Sequence, residues 1–210
     1  MIRAIIFDID GVLLDSFEAN FKFFQDLMAV AGYRPPTRKE FSPVSHLSII
    51  DAINVLTDSS SEKEVKRIWE IGCRQEQGVE YDAKLLAMPE GAGRTIEILS
   101  KNYLLGIATS RVEESVYGYP ELAQLKKYFT VTVSYQDTTN HKPHPEPLLL
   151  AAQKLRVESD ECIYIGDTEN DIKAARAAGM KVIIYSHNHL DADACTSSFV
   201  KLPELISSLA

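Results

Sequence analysis

The sequence predicts an α/β protein in which a doubly wound parallel sheet carries an inserted all-helical domain. Strand-like and helix-like patterns alternate from about residue 87 to the end of the chain, and such alternation implies a parallel sheet with helices on both faces. From about residue 15 to residue 86, in contrast, no convincing strand pattern occurs. The chain has 210 residues, of which 45% are apolar, so it can bury a substantial core.

The first strand is the apolar run Ala4–Phe7, and short runs of this kind are typical of buried parallel strands. Two carboxylates, Asp8 and Asp10, follow it at once, and Gly11 marks a turn. Charge is costly at the end of a buried strand unless it has a partner. These two aspartates are therefore candidates for chemistry.

Three helices are predicted next, at residues 16–31, 45–56 and 61–77. The first begins after Ser16 and carries apolar residues at helical spacing: Phe17, Phe21, Phe24 and Met28. We interpret this face as the core of a small helical domain rather than as a ligand pocket, because apolar stripes on helices usually pack against other elements. The helical domain then spans residues 15–86, and residues 1–14 and 87–210 form the α/β core.

The α/β core continues with further alternating elements. They are a helix at 92–102, strands at 103–108 and 131–133, a helix at 146–155, a strand at 162–165, a helix at 171–178, a strand at 182–185, and a connecting segment with a C-terminal helix within 193–205. This order predicts a Rossmann-like sheet.

Polar residues that can do chemistry follow the predicted strands. They are Asp8 and Asp10, Thr109 and Ser110, Lys142, and Asp167 and Asp171. Open α/β sheets bind ligands at the carboxyl ends of their strands, so we expect these side chains at one edge of the sheet. Several carboxylates at one edge would repel one another unless a cation lay among them, and an all-oxygen set suits Mg²⁺. Lys142 and the Thr109 hydroxyl could then hold phosphoryl oxygens.

The charge balance narrows the choice of partners. The chain has 22 basic and 30 acidic residues, a net charge of −8, which argues against nucleic acid as a partner. A small anionic substrate stays possible, because a few basic groups and a divalent cation can hold a phosphate locally. We expect no membrane partner, since no signal peptide or membrane span is evident.

The number and spacing of the three cysteines indicate the redox compartment of the protein. Cys73, Cys162 and Cys195 are odd in number and far apart, without the spacing of a zinc site or of a dense disulfide framework. Reduced thiols are the simplest interpretation, and we expect a cytoplasmic protein. The sequence gives no indication of the oligomeric state.

Four segments resemble, in chain order, the four motifs of the haloacid dehalogenase superfamily. They are DIDGVLLDS at residues 8–16, IATS at 107–110, KPHPE at 142–146 and IGDTEND at 165–171. The resemblance covers the whole predicted α/β core. The helical insertion also resembles the cap domain that lies between the first two motifs in the branch containing phosphoglycolate phosphatase and β-phosphoglucomutase.

The resemblance implies roles for the four aspartates. Asp8 is similar to the nucleophile that attacks phosphorus and forms an aspartyl-phosphate. Asp10 is similar to the general acid and base, which protonates the leaving oxygen and then takes a proton from water. Mg²⁺ would be held by Asp8, by the backbone carbonyl of Asp10 and by Asp167, with Asp171 as a direct or water-mediated ligand.

The same resemblance implies a phosphate site and an activity. Thr109 and Lys142 would stabilise charge on the transferring phosphoryl group, and Ser110 is a further candidate, although it could simply cap the next helix. The implied function is Mg²⁺-dependent hydrolysis of small phosphorylated metabolites. A phosphomutase of the β-phosphoglucomutase type and a non-catalytic regulatory protein stay open as alternatives. Dehalogenation is disfavoured, because haloalkanoate dehalogenases of this superfamily lack a carboxylate at the position of Asp10.

The substrate-selecting residues of the cap are not indicated by spacing. Four cap residues could meet an anionic part of a substrate, and for each one a solvated surface position is the expectation. They are His46, Arg34, Arg38 and Arg74.

Overall fold

The computed structural model describes residues 1–45, 47–74, 79–185 and 191–209. Contacts between Cα atoms separate the chain into two compact units. We call Met1–Asp15 together with Met88–Ala210 the core unit, and Ser16–Ala87 the cap unit. Each unit has its own cluster of buried apolar side chains.

Six parallel strands form the sheet of the core unit. They are β1 (Ala4–Phe7), β2 (Leu104–Ala108), β3 (Val131–Val133), β4 (Cys162–Gly166), β5 (Lys181–Tyr185) and β6 (Ala194–Thr196). Their spatial order is β3-β2-β1-β4-β5-β6, the order of doubly wound Rossmann sheets. The predicted fold class is therefore confirmed.

Strand β1 lies at the centre of the sheet, because it pairs with β2 on one side and with β4 on the other. Its last residue, Phe7, lies opposite Ile107 and Ile165. The residues that follow these three positions therefore leave the sheet at the same edge. The strand order reverses between β1 and β4, and ligands of open α/β sheets bind at such a switch point.

The cap unit is helical. Its described residues form α1 (Phe17–Val30), α2 (Arg38–Phe41), α3 (Ile49–Thr57) and α4 (Glu62–Arg74), with 3₁₀ turns at Ser42–Val44 and Ala83–Leu85. The interpretation of the apolar face of α1 is confirmed, because Phe24 and Met28 are buried in the core of this unit and Phe17 and Phe21 pack against it.

Helix α3 differs from the prediction at its start. It begins at Ile49 rather than at residue 45, because the Ser48 hydroxyl accepts a hydrogen bond from the Asp51 N–H at 3.2 Å and caps the helix there. A 3₁₀ turn at Ser42–Val44 precedes it. The predicted end of the third helix, at residue 77, lies outside the described residues.

The core unit carries six α-helices in its described part. They are α5 (Ala92–Leu99), α6 (Glu113–Val116), α7 (Pro120–Leu125), α8 (Glu146–Leu155), α9 (Glu169–Ala177) and α10 (Leu202–Leu209), with 3₁₀ turns at Lys126–Tyr128, Tyr135–Asp137, Ser159–Glu161 and Phe199–Lys201. Helix α8 packs against β1, β2 and β3, and α9 packs against β4 and β5.

Three elements of the core unit were not predicted from the sequence. Strand β6 lies where only a connecting segment was predicted, and it pairs with β5 so that Cys195 lies opposite Ile184. A strand of three residues is too short to show the two-residue period of a longer one. The short helices α6 and α7 also occupy a stretch for which no element was predicted.

The structure also shows how exposed the three cysteines are and whether any described helix could span a membrane. Cys73 is exposed, Cys162 is buried and Cys195 is half-buried, and none of the three forms a disulfide. No helix in the described ranges combines the length and the apolar character needed to cross a bilayer.

Candidate active site

Asp8 is fixed at the carboxyl end of the central strand. Its backbone N–H donates to the Ile165 carbonyl of β4 at 2.9 Å, which continues the sheet pairing by one residue. The carboxylate is nearly buried, at 7% exposure for the residue. Its Oδ1 accepts the Ile9 N–H at 2.8 Å and its Oδ2 accepts the Lys142 ammonium at 2.6 Å. Both carboxylate oxygens of Asp8 are thus oriented by donors.

The turn after Asp8 brings the chain close to Asp167. The Gly11 N–H donates to the Leu14 carbonyl at 2.8 Å, and Gly11 adopts a left-handed φ of 74°. A Cβ atom on Gly11 would lie 1.9 Å from Oδ2 of Asp167. Only glycine, which has no Cβ, lets the turn pass this carboxylate at such a distance.

Lys142 joins three partners with its ammonium group. Its Nζ donates to Asp8 Oδ2 at 2.6 Å, to Asp171 Oδ1 at 2.7 Å and to the Tyr164 hydroxyl at 2.9 Å. An ammonium has three donors, so all of them are used. The loop that carries Lys142 is anchored by Glu146, whose carboxylate accepts the backbone N–H groups of Thr139 and Asn140 at 3.0 Å each.

The two aspartates after β4 have different surroundings. Oδ2 of Asp171 accepts the Thr168 hydroxyl at 2.7 Å and its N–H at 3.0 Å, in the capping box that starts α9. Oδ1 of Asp171 accepts Lys142, and it also accepts the Tyr164 hydroxyl at 3.1 Å. Among the described residues, in contrast, no hydrogen bond reaches the carboxylate of Asp167.

These residues fit a hard cation. Asp8, Asp167 and Asp171 each offer a carboxylate oxygen, and the three oxygens lie within 4.8 Å of one another. An all-oxygen donor set of this kind is what Mg²⁺ prefers. Asp167 is the carboxylate best able to bind a cation, because no donor in the described part of the chain bonds to it, whereas both oxygens of Asp171 accept hydrogen bonds.

The pKa values show how crowded the negative charge is. Burial raises the pKa of Asp8 to about 6, with a further rise from Asp171 and an opposing effect of Lys142. Burial likewise raises the pKa of Asp167 to about 8, and the charges of Asp171 and Asp8 add to the shift. A divalent cation would relieve this repulsion, so the electrostatics also fit a metal site.

Lys142 and Asp171 form the charged pair that holds the cluster together. Burial alone would lower the pKa of Lys142, but the adjacent carboxylates of Asp171 and Asp8 raise it well above its ordinary value. Burial would raise the pKa of Asp171, but the Lys142 ammonium outweighs this effect and the pKa falls below its ordinary value. Both groups are therefore charged at neutral pH.

Asp10 contacts a residue that the sequence analysis did not single out. Nε of Arg111 donates to Oδ2 of Asp10 at 2.8 Å, and Nη2 donates to Oδ1 at 2.7 Å, so the guanidinium holds the carboxylate with two parallel hydrogen bonds. The signal for Arg111 was its place directly after Thr109 and Ser110, at the carboxyl end of β2.

Thr109 and Ser110 are placed differently. Thr109 is buried, and its hydroxyl accepts the Arg111 N–H at 3.2 Å. Ser110 is exposed. The structure thus brings Asp8, Lys142, Asp167 and Asp171 into one cluster, pairs Asp10 with Arg111, and leaves Ser110 in contact with solvent.

Tyr164 is a second residue that sequence reasoning missed. It is fully buried on β4, its hydroxyl accepts from Lys142, and it lies 3.2 Å from the Ala108 carbonyl and 3.1 Å from Oδ1 of Asp171. No sequence pattern indicates this contact, because a tyrosine in a buried apolar strand is also typical of ordinary core packing.

The cap arginines lie on the surface, as expected. Arg38 pairs with Glu18 at 2.6 Å, and its guanidinium lies 5.3 Å from the ring centroids of Phe17 and Phe21. Arg34 pairs with Glu40 at 2.5 Å. The side chain of Arg74 is largely exposed as well. His46 lies outside the described residues.

Comparisons with known proteins show which family the chain belongs to. Residues 5–185 match the sequence profile of the family described as haloacid dehalogenase-like hydrolase. The chain is 27% identical over 187 residues to pyrophosphatase PpaX of Oceanobacillus iheyensis. This alignment covers 86% of the chain and 81% of the relative. It is 31% identical over 137 residues to phosphoglycolate phosphatase of Shigella boydii serotype 4. This alignment covers 64% of the chain and 54% of the relative. Its fold resembles the crystal structure of β-phosphoglucomutase from Clostridium difficile, with a TM-score of 0.78, 23% identity and coverage of 100% of this chain and 99% of the other.

Proposed function

We propose that this chain, which belongs to the haloacid dehalogenase-like hydrolase family, is a phosphatase that hydrolyses small phosphorylated metabolites with the help of Mg²⁺. The observation that carries the proposal is the buried contact between the Asp8 carboxylate and the Lys142 ammonium at 2.6 Å, beside two further aspartates at the switch point of the sheet. A carboxylate nucleophile, a cationic side chain and an oxygen-rich cation site are the parts that phosphoryl transfer through an aspartyl-phosphate requires.

In the first step, a carboxylate oxygen of Asp8 attacks phosphorus and the bond from phosphorus to the leaving oxygen breaks. The electron pair of that bond goes to the leaving oxygen, which Asp10 protonates as general acid. Lys142, held by Asp171 and Tyr164, stabilises the negative charge of the transferring group.

In the second step, water attacks the phosphorus of the aspartyl-phosphate. The bond from phosphorus to the Asp8 oxygen breaks, and its electron pair restores the Asp8 carboxylate. Asp10, now a general base, accepts the proton that the water loses. Inorganic phosphate is then released, and Asp8 and Asp10 return to their starting forms, with the proton on Asp10 ready for the next leaving group.

The remaining residues bind and orient the phosphoryl group. The Thr109 hydroxyl lies at the end of β2 and would donate to a phosphoryl oxygen, and the exposed Ser110 is a second candidate donor. Asp8, Asp167 and the backbone carbonyl of Asp10 would hold Mg²⁺, which supplies positive charge that neutralises phosphoryl oxygens. Because both oxygens of Asp171 hold protein donors, we favour a water-mediated contact of Asp171 with the metal.

A phosphomutase of the β-phosphoglucomutase type is the alternative, because it would use Asp8 and Asp10 in the same way. In that reaction the aspartyl-phosphate returns its phosphoryl group to a sugar phosphate rather than to water. A non-catalytic regulatory role is the third hypothesis, and the completeness of the charged cluster argues against it.

The decisive experiment is a panel of phosphorylated metabolites with Mg²⁺, ranked by kcat/KM. The panel includes phosphoglycolate and pyrophosphate, which the names of the two relatives suggest, and several sugar phosphates. We expect release of inorganic phosphate. Isomerisation of a sugar phosphate without phosphate release would favour the mutase instead.

The nucleophile is tested by Asp8→Asn. We expect phosphate release from an aryl phosphate to fall below detection, because the amide is a poor nucleophile, while circular dichroism shows a folded protein. The matched control is Asp160→Asn, which changes an exposed aspartate in the turn at Ser159–Glu161 and should leave the rate unchanged. Chelation by EDTA should stop the activity and added Mg²⁺ should restore it. Hydrolysis that persists in Asp8→Asn would show that another residue is the nucleophile.

A further inference from the structure

The strongest feature that the proposed mechanism leaves unused is the pair of hydrogen bonds between Arg111 and Asp10. We propose that Arg111 is a positioning residue that orients the Asp10 carboxylate as the base for hydrolysis of the aspartyl-phosphate. This inference rests on the proposed function and deepens it, because it assigns Arg111 to the second of the two chemical steps.

Arg111 is the fixed member of this pair. Its side chain is 10% exposed, whereas that of Asp10 is 33% exposed. Its backbone N–H donates to the Thr109 hydroxyl at 3.2 Å, and its Nη1 lies 3.4 Å from the Ser115 carbonyl near the end of α6. The guanidinium is planar and rigid, so its position fixes the plane of the carboxylate that it holds.

The hydrogen bonds hold the carboxylate form of Asp10, which is the form that accepts a proton in the second step. A carboxylate has about four lone-pair sites, and the guanidinium uses two of them, one on each oxygen. Both oxygens of Asp10 are therefore held in one plane by the guanidinium.

The step that Arg111 assists is the attack of water on the aspartyl-phosphate. The water oxygen forms a bond to phosphorus, the bond from phosphorus to the Asp8 oxygen breaks, and Asp10 accepts the water proton. Arg111 itself neither gains nor loses a proton. It holds Asp10 in the plane and orientation in which this proton transfer occurs.

The test compares the two chemical steps in Arg111→Met. The substrate is an aryl phosphate with a weakly basic phenolate, whose departure needs little help from an acid. We expect kcat to fall by about 10²-fold, in line with loss of general base catalysis. We also expect a rapid burst of one phenolate per active site, and accumulation of protein carrying one phosphoryl group on Asp8 by intact mass measurement.

Two further variants serve as controls. Arg111→Lys keeps the positive charge but cannot form the bidentate hydrogen bonds, so we expect the same burst with a smaller loss in kcat. This variant also keeps the test valid if Arg111→Met does not fold. Arg3→Met removes a guanidinium that pairs with Glu161 at 3.0 Å, at the opposite end of β1 from Asp8, and should behave as the unaltered protein.

Three results would overturn the inference. A rise in KM at unchanged kcat would make Arg111 a substrate-binding residue. Loss of the burst together with kcat would place Arg111 in the first step, and an unchanged kcat in both Arg111 variants would remove it from the chemistry. The failure of the proposed function is a separate outcome, in which the unaltered protein itself releases no phosphate from any substrate.

Discussion

Replacing Gly11 by alanine tests whether the turn after β1 must pass close to Asp167. The new Cβ would lie 1.9 Å from Oδ2 and 2.4 Å from Cγ of Asp167, whereas ordinary contacts begin at 3.4 Å. Either the turn or the carboxylate must therefore move by roughly 1.5 Å. A displacement of about 1 Å in a set of reacting groups costs about 10²-fold in rate, so we expect kcat/KM to fall by at least this factor.

The same substitution also strains the backbone, and a matched variant separates the two effects. The left-handed conformation costs an alanine about 1–2 kcal/mol, which corresponds to a fall in Tm of about 2–8 °C for a chain of this size. Gly179 has the same φ of 74°, and a Cβ there would meet only ordinary contacts, the nearest at 3.6 Å from Oγ of Ser159. Gly179→Ala should therefore lower Tm similarly and leave activity intact.

The assay is aryl phosphate hydrolysis over a range of Mg²⁺ concentrations, with calorimetry on both variants. We expect Gly11→Ala to need more Mg²⁺ for half-maximal activity, since Asp167 is the carboxylate that the new Cβ displaces. If Gly11→Ala and Gly179→Ala have kcat/KM values within a factor of about three of each other, the displacement of Asp167 does not matter for catalysis. The reasoning about this turn would then be refuted.

Two further predictions concern the charges of the site. In the folded protein the pKa of Asp8 is raised from 3.8 to about 6, and that of Asp167 from 3.8 to about 8. Between pH 3.8 and about 8, the folded protein therefore binds more protons than the unfolded chain. The unfolding free energy in EDTA, measured by denaturant titration, should therefore decrease as the pH rises from 5 to 8. Saturating Mg²⁺ should reduce this slope. An unfolding free energy that stays flat or rises with pH in EDTA would contradict the raised pKa values of Asp8 and Asp167. Tyr164→Phe should lower kcat by about tenfold, because Lys142 and Asp171 each lose one hydrogen bond worth about 1 kcal/mol, and an unchanged rate would show that Tyr164 serves core packing alone.

The sequence revealed the parts of the fold that have strong local signals. The apolar run of β1 is followed at once by Asp8, and the apolar strand β4 by Asp167, so the sheet and its charged edge could be predicted together. Strand β6 could not, because three residues carry no periodic pattern and their pairing with β5 is decided by the rest of the sheet.

The candidate site shows a similar division. Asp8, Lys142 and Asp167 could be predicted as site residues, because charged residues near strand ends matched known motifs. Arg111 and Tyr164 were missed, since their contacts depend on which side chains the sheet brings together. A basic residue in a loop and a tyrosine in a buried strand each have a more common explanation in structure alone.

The position of β1 bears on how the chain acquires its activity. This strand precedes both of its neighbours in the chain, and one of them, β4, follows only after the cap unit and more than half of the core unit. A nascent chain that stops before residue 162 leaves one side of β1 without its hydrogen-bonding neighbour, and it lacks Asp167 and Asp171. Such sequence-distant pairing is slow to form, so Asp8 gains its full surroundings late in folding. Truncated translation products would therefore carry Asp8 without the two later aspartates that lie beside it in the complete sheet.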